Sequence, residues 1–322
     1  MRFYPLLIVP AITGLSIFVS AQDGNPGAKE TGSIRELRKK HHTELLTRPA
    51  PPKPPAGVFE LISFKSPVGS LAAYLTPDPR DGKKYPVIIW LVGGFSNSIG
   101  ENSWGKADPS NDQSAAGYRK AGVPMMFPSL RGGNNNPGER EGLFGEVEDV
   151  IAAASHVAKL PWVDSSRIYL GGHSTGGTLA LLVAGNSDLF RAVISFGPVH
   201  TVSGYGQDVL PFDVENKMET FVRAPILFLP AIKSPTYVLE GENRGNIESV
   251  RLMKEKNKNT KVQFFEISGG DHFSILNPFN DLLAKKILAD TGRECAITIT
   301  KEDIKAATAA IVTKGSEKSG KN

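Results

Sequence analysis

The chain has 322 residues, 40% of them hydrophobic and 22% charged, with a formal net charge of +4. That is a globular composition, long enough for one large α/β domain or two small ones. No block of five or six like charges is present, so no nucleic-acid footprint is visible, and the single cysteine, Cys295, excludes an intrachain disulfide and any cysteine-based metal site.

Residues 1–21 begin Met1-Arg2, run apolar from Pro5 to Val19 and end Val19-Ser20-Ala21, the small-residue pattern of a signal-peptidase site. This predicts export, periplasmic or secreted, with the mature chain starting near Gln22. The alternative is an uncleaved anchor that would bring the protein to a membrane, since the apolar run is about as long as the shortest spanning helices. Residues 22–56 read as a polar, proline-rich tether that closes on Arg48-Pro49-Ala50-Pro51-Pro52-Lys53-Pro54-Pro55, extended and stiff. His41 and His42 lie on a short predicted helix over 33–46 and lack the spaced partners of a metal site.

A folded domain over 57–292 follows. Val58–Phe64 and Leu71–Leu75 read as two strands of an edge hairpin around Pro67-Val68-Gly69. Pro86–Val92 has no alternation and reads as a buried strand, as does Val123–Phe127. A helix over Glu146–Lys159 precedes a strand at Arg167–Leu170, and the strands Ala192–Phe196, Pro235–Leu239 and Val262–Ile267 follow, with helices at Ile247–Glu255 and Ile275–Ala289. Strands alternating with helices imply a mostly parallel, doubly wound sheet with helices on both faces. The weakly patterned stretch 198–234 reads as an insert acting as a small cap. Residues 293–322 form a C-terminal extension: one weak strand after Cys295, a helix opened by the capping box Thr300-Lys301-Glu302-Asp303, and a disordered tail over 314–322.

The chemistry centres on Gly172-His173-Ser174-Thr175-Gly176, a G-x-S-x-G pattern between the short strand Ile168-Tyr169-Leu170 and the helix-forming run Thr178–Ala184. In such a nucleophile elbow a tight strand-to-helix turn lifts a serine hydroxyl above the sheet. A serine needs a base to take its proton. His272, after the last strand and before the closing helix, stands where the general base falls in this fold order. His200 comes too early in the order, and His173 and His156 read as packing or surface residues. The developing oxyanion needs two backbone N–H donors. Thr175, following the serine, supplies one, and Phe95, after the glycine turn Gly93-Gly94, supplies the other. No cofactor or metal is called for.

These motifs, in order, resemble the catalytic domain of the prolyl oligopeptidase family within the α/β-hydrolases. The likeness covers roughly residues 57–290: the Gly-Gly turn, Leu130-Arg131-Gly132-Gly133, Glu146-Val147-Glu148-Asp149-Val150, Val163-Asp164-Ser165-Ser166-Arg167-Ile168, the elbow, and Asp271-His272-Phe273. The resemblance implies a serine hydrolase acting on peptides. Family members often carry a β-propeller that gates substrate size; here only the short tether precedes the domain, so none is expected.

One departure concerns the triad acid. The family places an aspartate three residues past a glycine that ends the penultimate strand, and Arg244 stands at that position. Glu240, at the end of an apolar strand, and Glu242, in the loop beyond it, are the two substitutes, glutamate being chemically able to fill the role. Arg131 either holds a substrate carboxylate or pairs with Glu146, Glu148 or Asp149 on the following helix. The expected function is a hydrolase of peptide or ester bonds through an acyl-enzyme on Ser174. The competing reading is a catalytically silent α/β-hydrolase fold used for binding, motivated by the missing aspartate. Substrate specificity and oligomeric state are not legible.

Overall fold

The computed structural model describes residues 48–319. The export segment, His41, His42 and most of the proposed tether lie outside the described residues. The strands are β1 (Glu60–Ser66), β2 (Gly69–Leu75), β3 (Tyr85–Leu91), β4 (Met125–Pro128), β5 (Val163–His173), β6 (Ala192–Phe196), β7 (Thr236–Asn243) and β8 (Val262–Asp271). The helices are α1 (Ala116–Ala121), α2 (Glu146–Val157), α3 (Thr175–Asn186), α4 (Lys217–Phe221), α5 (Pro225–Phe228), α6 (Ile247–Lys256), α7 (Leu276–Ala289) and α8 (Lys301–Ser319).

The strands form one sheet in the order β1-β2-β4-β3-β5-β6-β7-β8. β2 pairs antiparallel with β1 and with β4, and every other neighbouring pair is parallel. This is the α/β-hydrolase architecture. Successive residues of a strand face opposite sides, and here both sides are covered. Val87, Ile89 and Leu91 of β3 pack into one apolar layer with Val150, Ala153 and Val157 of α2 and Leu179 and Val183 of α3. Ile88 and Trp90 pack into the other, with Tyr118 of α1 and Phe279, Leu283 and Ile287 of α7. A strand covered on both faces requires an apolar residue at each position, which is why β3 shows no alternation.

Several boundaries depart from the sequence reading. β5 begins at Val163, because Val163 already pairs with Tyr85. β8 runs on to Asp271 through two glycines, held by the Asn243–Asp271 register with β7. The weak strand expected after Cys295 does not form. Ile297 and Ile299 are buried without strand pairing, and the Tyr237 hydroxyl donates to the Ile297 carbonyl at 2.5 Å. Helix α8 starts on the expected box, with Asp303 N–H donating to Thr300 Oγ1 at 3.2 Å and Thr300 N–H to Asp303 Oδ2 at 2.8 Å. It continues to Ser319, where a disordered tail from residue 314 was expected.

The proline-rich segment is also tied down where it is described. Pro51 and Pro54 are buried, Tyr74 donates its hydroxyl to the Pro52 carbonyl at 2.7 Å, and Arg48 donates to the Gly132 carbonyl at 2.9 Å. Pyrrolidine rings are apolar surface, and proline carbonyls remain open acceptors. Residues 48–55 therefore lie along the domain.

Candidate active site

Ser174 joins β5 to α3 with φ 57° and ψ −117°, a left-handed conformation that a non-glycine residue holds only under constraint. Two backbone bonds supply it: Ser174 N–H donates to the Phe196 carbonyl at 2.8 Å, and Thr178 N–H donates to the Ser174 carbonyl at 2.9 Å. The glycine at position 176 is a steric requirement, since a Cβ there would stand 2.2 Å from the Leu91 carbonyl oxygen. Thr178 braces the turn from the helix. Its hydroxyl oxygen lies 3.1 Å from the Ser174 carbonyl, accepts Val199 N–H at 3.0 Å and meets the Tyr205 hydroxyl at 2.7 Å.

Glu240 and His272 come from the ends of the neighbouring strands β7 and β8. His272 Nδ1 lies 3.0 Å from Glu240 Oε2. Glu240 is fully buried, and its other oxygen accepts its neighbour Gly241 N–H at 3.1 Å. Burial pushes the Glu240 carboxyl above its usual range, opposed by its hydrogen bonds with His272, Gly241 and Asn246. Glu242, the other candidate acid, is exposed near the end of β7 and takes no part in this contact. The pair is packed against the backbone of Gly197, at φ 58°. A Cβ there would fall 2.3 Å from Glu240 Oε2 and 2.6 Å from His272 Nδ1. Asn246 fixes that turn by donating its side-chain amide to the Gly197 carbonyl at 2.7 Å.

His173, the residue before Ser174, lies against His272. Its Nε2 lies 3.0 Å from the His272 carbonyl, which only a protonated Nε2 can satisfy, and the two rings are 4.5 Å apart between centroids. Burial, reinforced by the neighbouring His272, pushes the His173 imidazole down to about 3, so it is neutral at ordinary pH. Ser174 Oγ makes no hydrogen bond among the described residues.

Phe95 lies in the loop after β3, and Thr175 is the first residue of α3. That loop is pinned by Asn97, whose amide donates to the Arg131 carbonyl and to Glu146 Oε1, both at 2.9 Å. Arg131 is engaged by carboxylates of its own chain. It is 7% exposed, its Nε and Nη2 donate to Asp149 at 3.0 and 3.1 Å, and Nη1 is taken by Glu141. Of the two alternatives for Arg131, this geometry favours pairing with the following helix, whose Asp149 captures the guanidinium, because a buried cation needs a buried carboxylate. His200 bonds Ser249 Oγ at 2.9 Å, away from the triad contact. No cluster of His, Cys, Asp and Glu among the described residues could hold a metal ion.

Tyr205, Thr178, Arg140 and Asn246 escape a sequence reading. Each acts on backbone or side-chain groups far off in the chain, and no local motif announces them.

Residues 113–224, which include Ser174, match the sequence model of the prolyl oligopeptidase family. Human dipeptidyl peptidase 8 is 28% identical over 153 residues, 44% of this chain and 16% of that protein. The chain thus spans about a sixth of the length of this relative. Among solved structures, Porphyromonas gingivalis dipeptidyl peptidase 4 superposes with a TM-score of 0.58 at 20% identity, covering 72% of this chain and 35% of that one. The Pyrococcus furiosus esterase Pf2001 superposes with a TM-score of 0.54 at 17% identity, covering 71% of this chain and 90% of that one. Both likenesses share the α/β-hydrolase fold described above.

Proposed function

We propose that this chain is a serine hydrolase of prolyl oligopeptidase type that cleaves amide bonds of small peptides through an acyl-enzyme on Ser174. The observation that carries the reading is the 3.0 Å contact of His272 with the buried Glu240, on strand ends adjoining the elbow. In this reading His272 takes the hydroxyl proton as Ser174 Oγ attacks the substrate carbonyl, and Glu240 holds the imidazole tautomer and offsets its transient charge. The N–H groups of Phe95 and Thr175 receive the oxyanion. His272 then gives its proton to the leaving amine, and water repeats the sequence on the acyl-enzyme.

The family match over the elbow supports a peptide substrate. Esters are the second reading, supported by the similarity to an esterase of which this chain covers 90%. Glu240 in its contact with His272 favours a competent triad over the silent fold. Turnover of a short-chain p-nitrophenyl ester and of aminoacyl p-nitroanilides tests the reading. Activity lost in both Ser174→Ala and His272→Gln supports it; activity retained in either contradicts it. We further infer export from residues 1–21, which N-terminal sequencing of the protein made in its own cell tests: a start near Gln22 supports export, an intact Met1 contradicts cleavage.

A further inference from the structure

The two residues assigned as oxyanion donors are connected to each other. The Thr175 hydroxyl donates to the Gly94 carbonyl at 2.7 Å. That carbonyl belongs to the same peptide unit as the Phe95 N–H. The described chain has no cis peptide bond, and in a trans unit N–H and C=O point in opposite directions. Holding the Gly94 oxygen on Thr175 therefore fixes the direction of the Phe95 N–H. The next peptide unit is held as well. Arg140 donates through Nη1 to the Phe95 carbonyl, and through Nη2 to the Val209 carbonyl of the insert at 3.1 Å. The Phe95 ring meets the Tyr205 ring of the same insert edge to face, with centroids 5.2 Å apart.

Such a clamp has work to do. Gly94 sits at φ 100° after another glycine, so the unit it begins would otherwise rotate at little cost. The Phe95 N–H donates to no oxygen among the described residues, and the Thr175 N–H, at the first position of α3, has no acceptor within its own helix. Both donors are held and neither is consumed.

We propose that the Thr175 side chain and Arg140 are positioning residues that preorganise the Phe95 N–H as an oxyanion donor. Thr175 then acts twice, giving one N–H itself and aiming the other through its hydroxyl. Arg140 joins the donor loop to the insert. The inference rests on the serine hydrolase reading.

Thr175→Val keeps the size and the N–H of Thr175 but removes the hydroxyl, Thr175→Ser keeps the hydroxyl, and Arg140→Met keeps the stem of Arg140. The measurements are kcat and KM on p-nitrophenyl butyrate, affinity for a phenylboronic acid that forms a tetrahedral adduct on the serine, and Tm as a check of folding. The expected result for Thr175→Val is a kcat about 10- to 100-fold lower with KM within about twofold, and boronate affinity falling in proportion, since losing a whole donor costs about 100- to 1,000-fold. Thr175→Ser should recover kcat to within about threefold of wild type. Arg140→Met should lower kcat in the same way, and the double variant should lose less than the product of the single losses because both act on one residue. An unchanged kcat in folded Thr175→Val and Arg140→Met overturns the inference, as does a loss carried by KM with boronate affinity intact. If Thr175→Val fails to fold, Arg140→Met decides by the same criteria. A wild type without ester or amide turnover overturns the hydrolase reading itself, a result distinct from an active wild type with indifferent variants.

Discussion

Glu240 and His272 meet at 3.0 Å across two adjacent strands, with the carboxylate fully buried and the imidazole at the edge of the site. Glu240 sits within β7, three residues before the end of the strand at Asn243. Arg244, which occupies the position where the family pattern has its aspartate, is exposed.

This placement predicts a trade between activity and stability at Glu240. Glu240→Gln should lower kcat by about 100- to 10,000-fold, because an amide offers a donor where His272 Nδ1–H needs an acceptor. It should not destabilise the fold. Burial raises the carboxyl pKa in the folded state, so ionising Glu240 costs stability as pH climbs from the unfolded value through the raised folded value. The neutral variant escapes that cost, and its Tm relative to wild type should be higher at pH 8 than at pH 4. A Tm difference that falls as pH rises would contradict this.

Gly197→Ala should remove activity through the acid–base pair without touching the nucleophile. A Cβ there would overlap Glu240 Oε2 at 2.3 Å, and the backbone is already at φ 58°. The expected cost is about 1–3 kcal/mol in chemical denaturation, with kcat falling further than the residual fold would suggest. Equal activity in the alanine variant would show that the pair is not held by this turn.

Acid should unfold the protein in a window set by His173. Its folded value is pushed down to about 3, while the unfolded side chain titrates near 6.5. Between those values the unfolded state binds a proton that the folded state refuses, so stability is full above about pH 6.5 and falls as pH drops, by up to about 1.4 kcal/mol per unit. Denaturation midpoints from pH 7 to pH 4 measure the slope. His173→Phe should flatten it; an unchanged slope would assign the acid sensitivity elsewhere.

Arg131→Met should act on stability alone. It would strand Asp149 buried without its cation, a loss of about 3–5 kcal/mol. KM should be the same for substrates with and without a free carboxylate. A selective rise for the carboxylate substrate would restore a binding role to Arg131.

The elbow was legible because its determinants are local. Glycines flank the serine where a side chain would strike the backbone, and an apolar strand and helix adjoin them. The two-sided burial of β3 was legible from its unbroken apolar run. The far end of β8 was not, since Ser268, Gly269 and Gly270 have little intrinsic strand preference and form the irregular stretch between the Gly241–Ile267 and Asn243–Asp271 pairings with β7. The choice between Glu240 and Glu242 could be narrowed but not made, because both lie on one element and only tertiary packing shows which is enclosed. Arg140 and Tyr205 were illegible for a similar reason: their partners, Phe95 and Thr178, lie far away in sequence.

The most direct measurement of the central claim is reaction with a fluorophosphonate followed by intact mass and peptide mapping. The account predicts one phosphonyl adduct per chain, located on Ser174, absent in Ser174→Ala and formed at least about 100-fold more slowly in His272→Gln. An unlabelled wild type, or labelling that persists in Ser174→Ala, would contradict it.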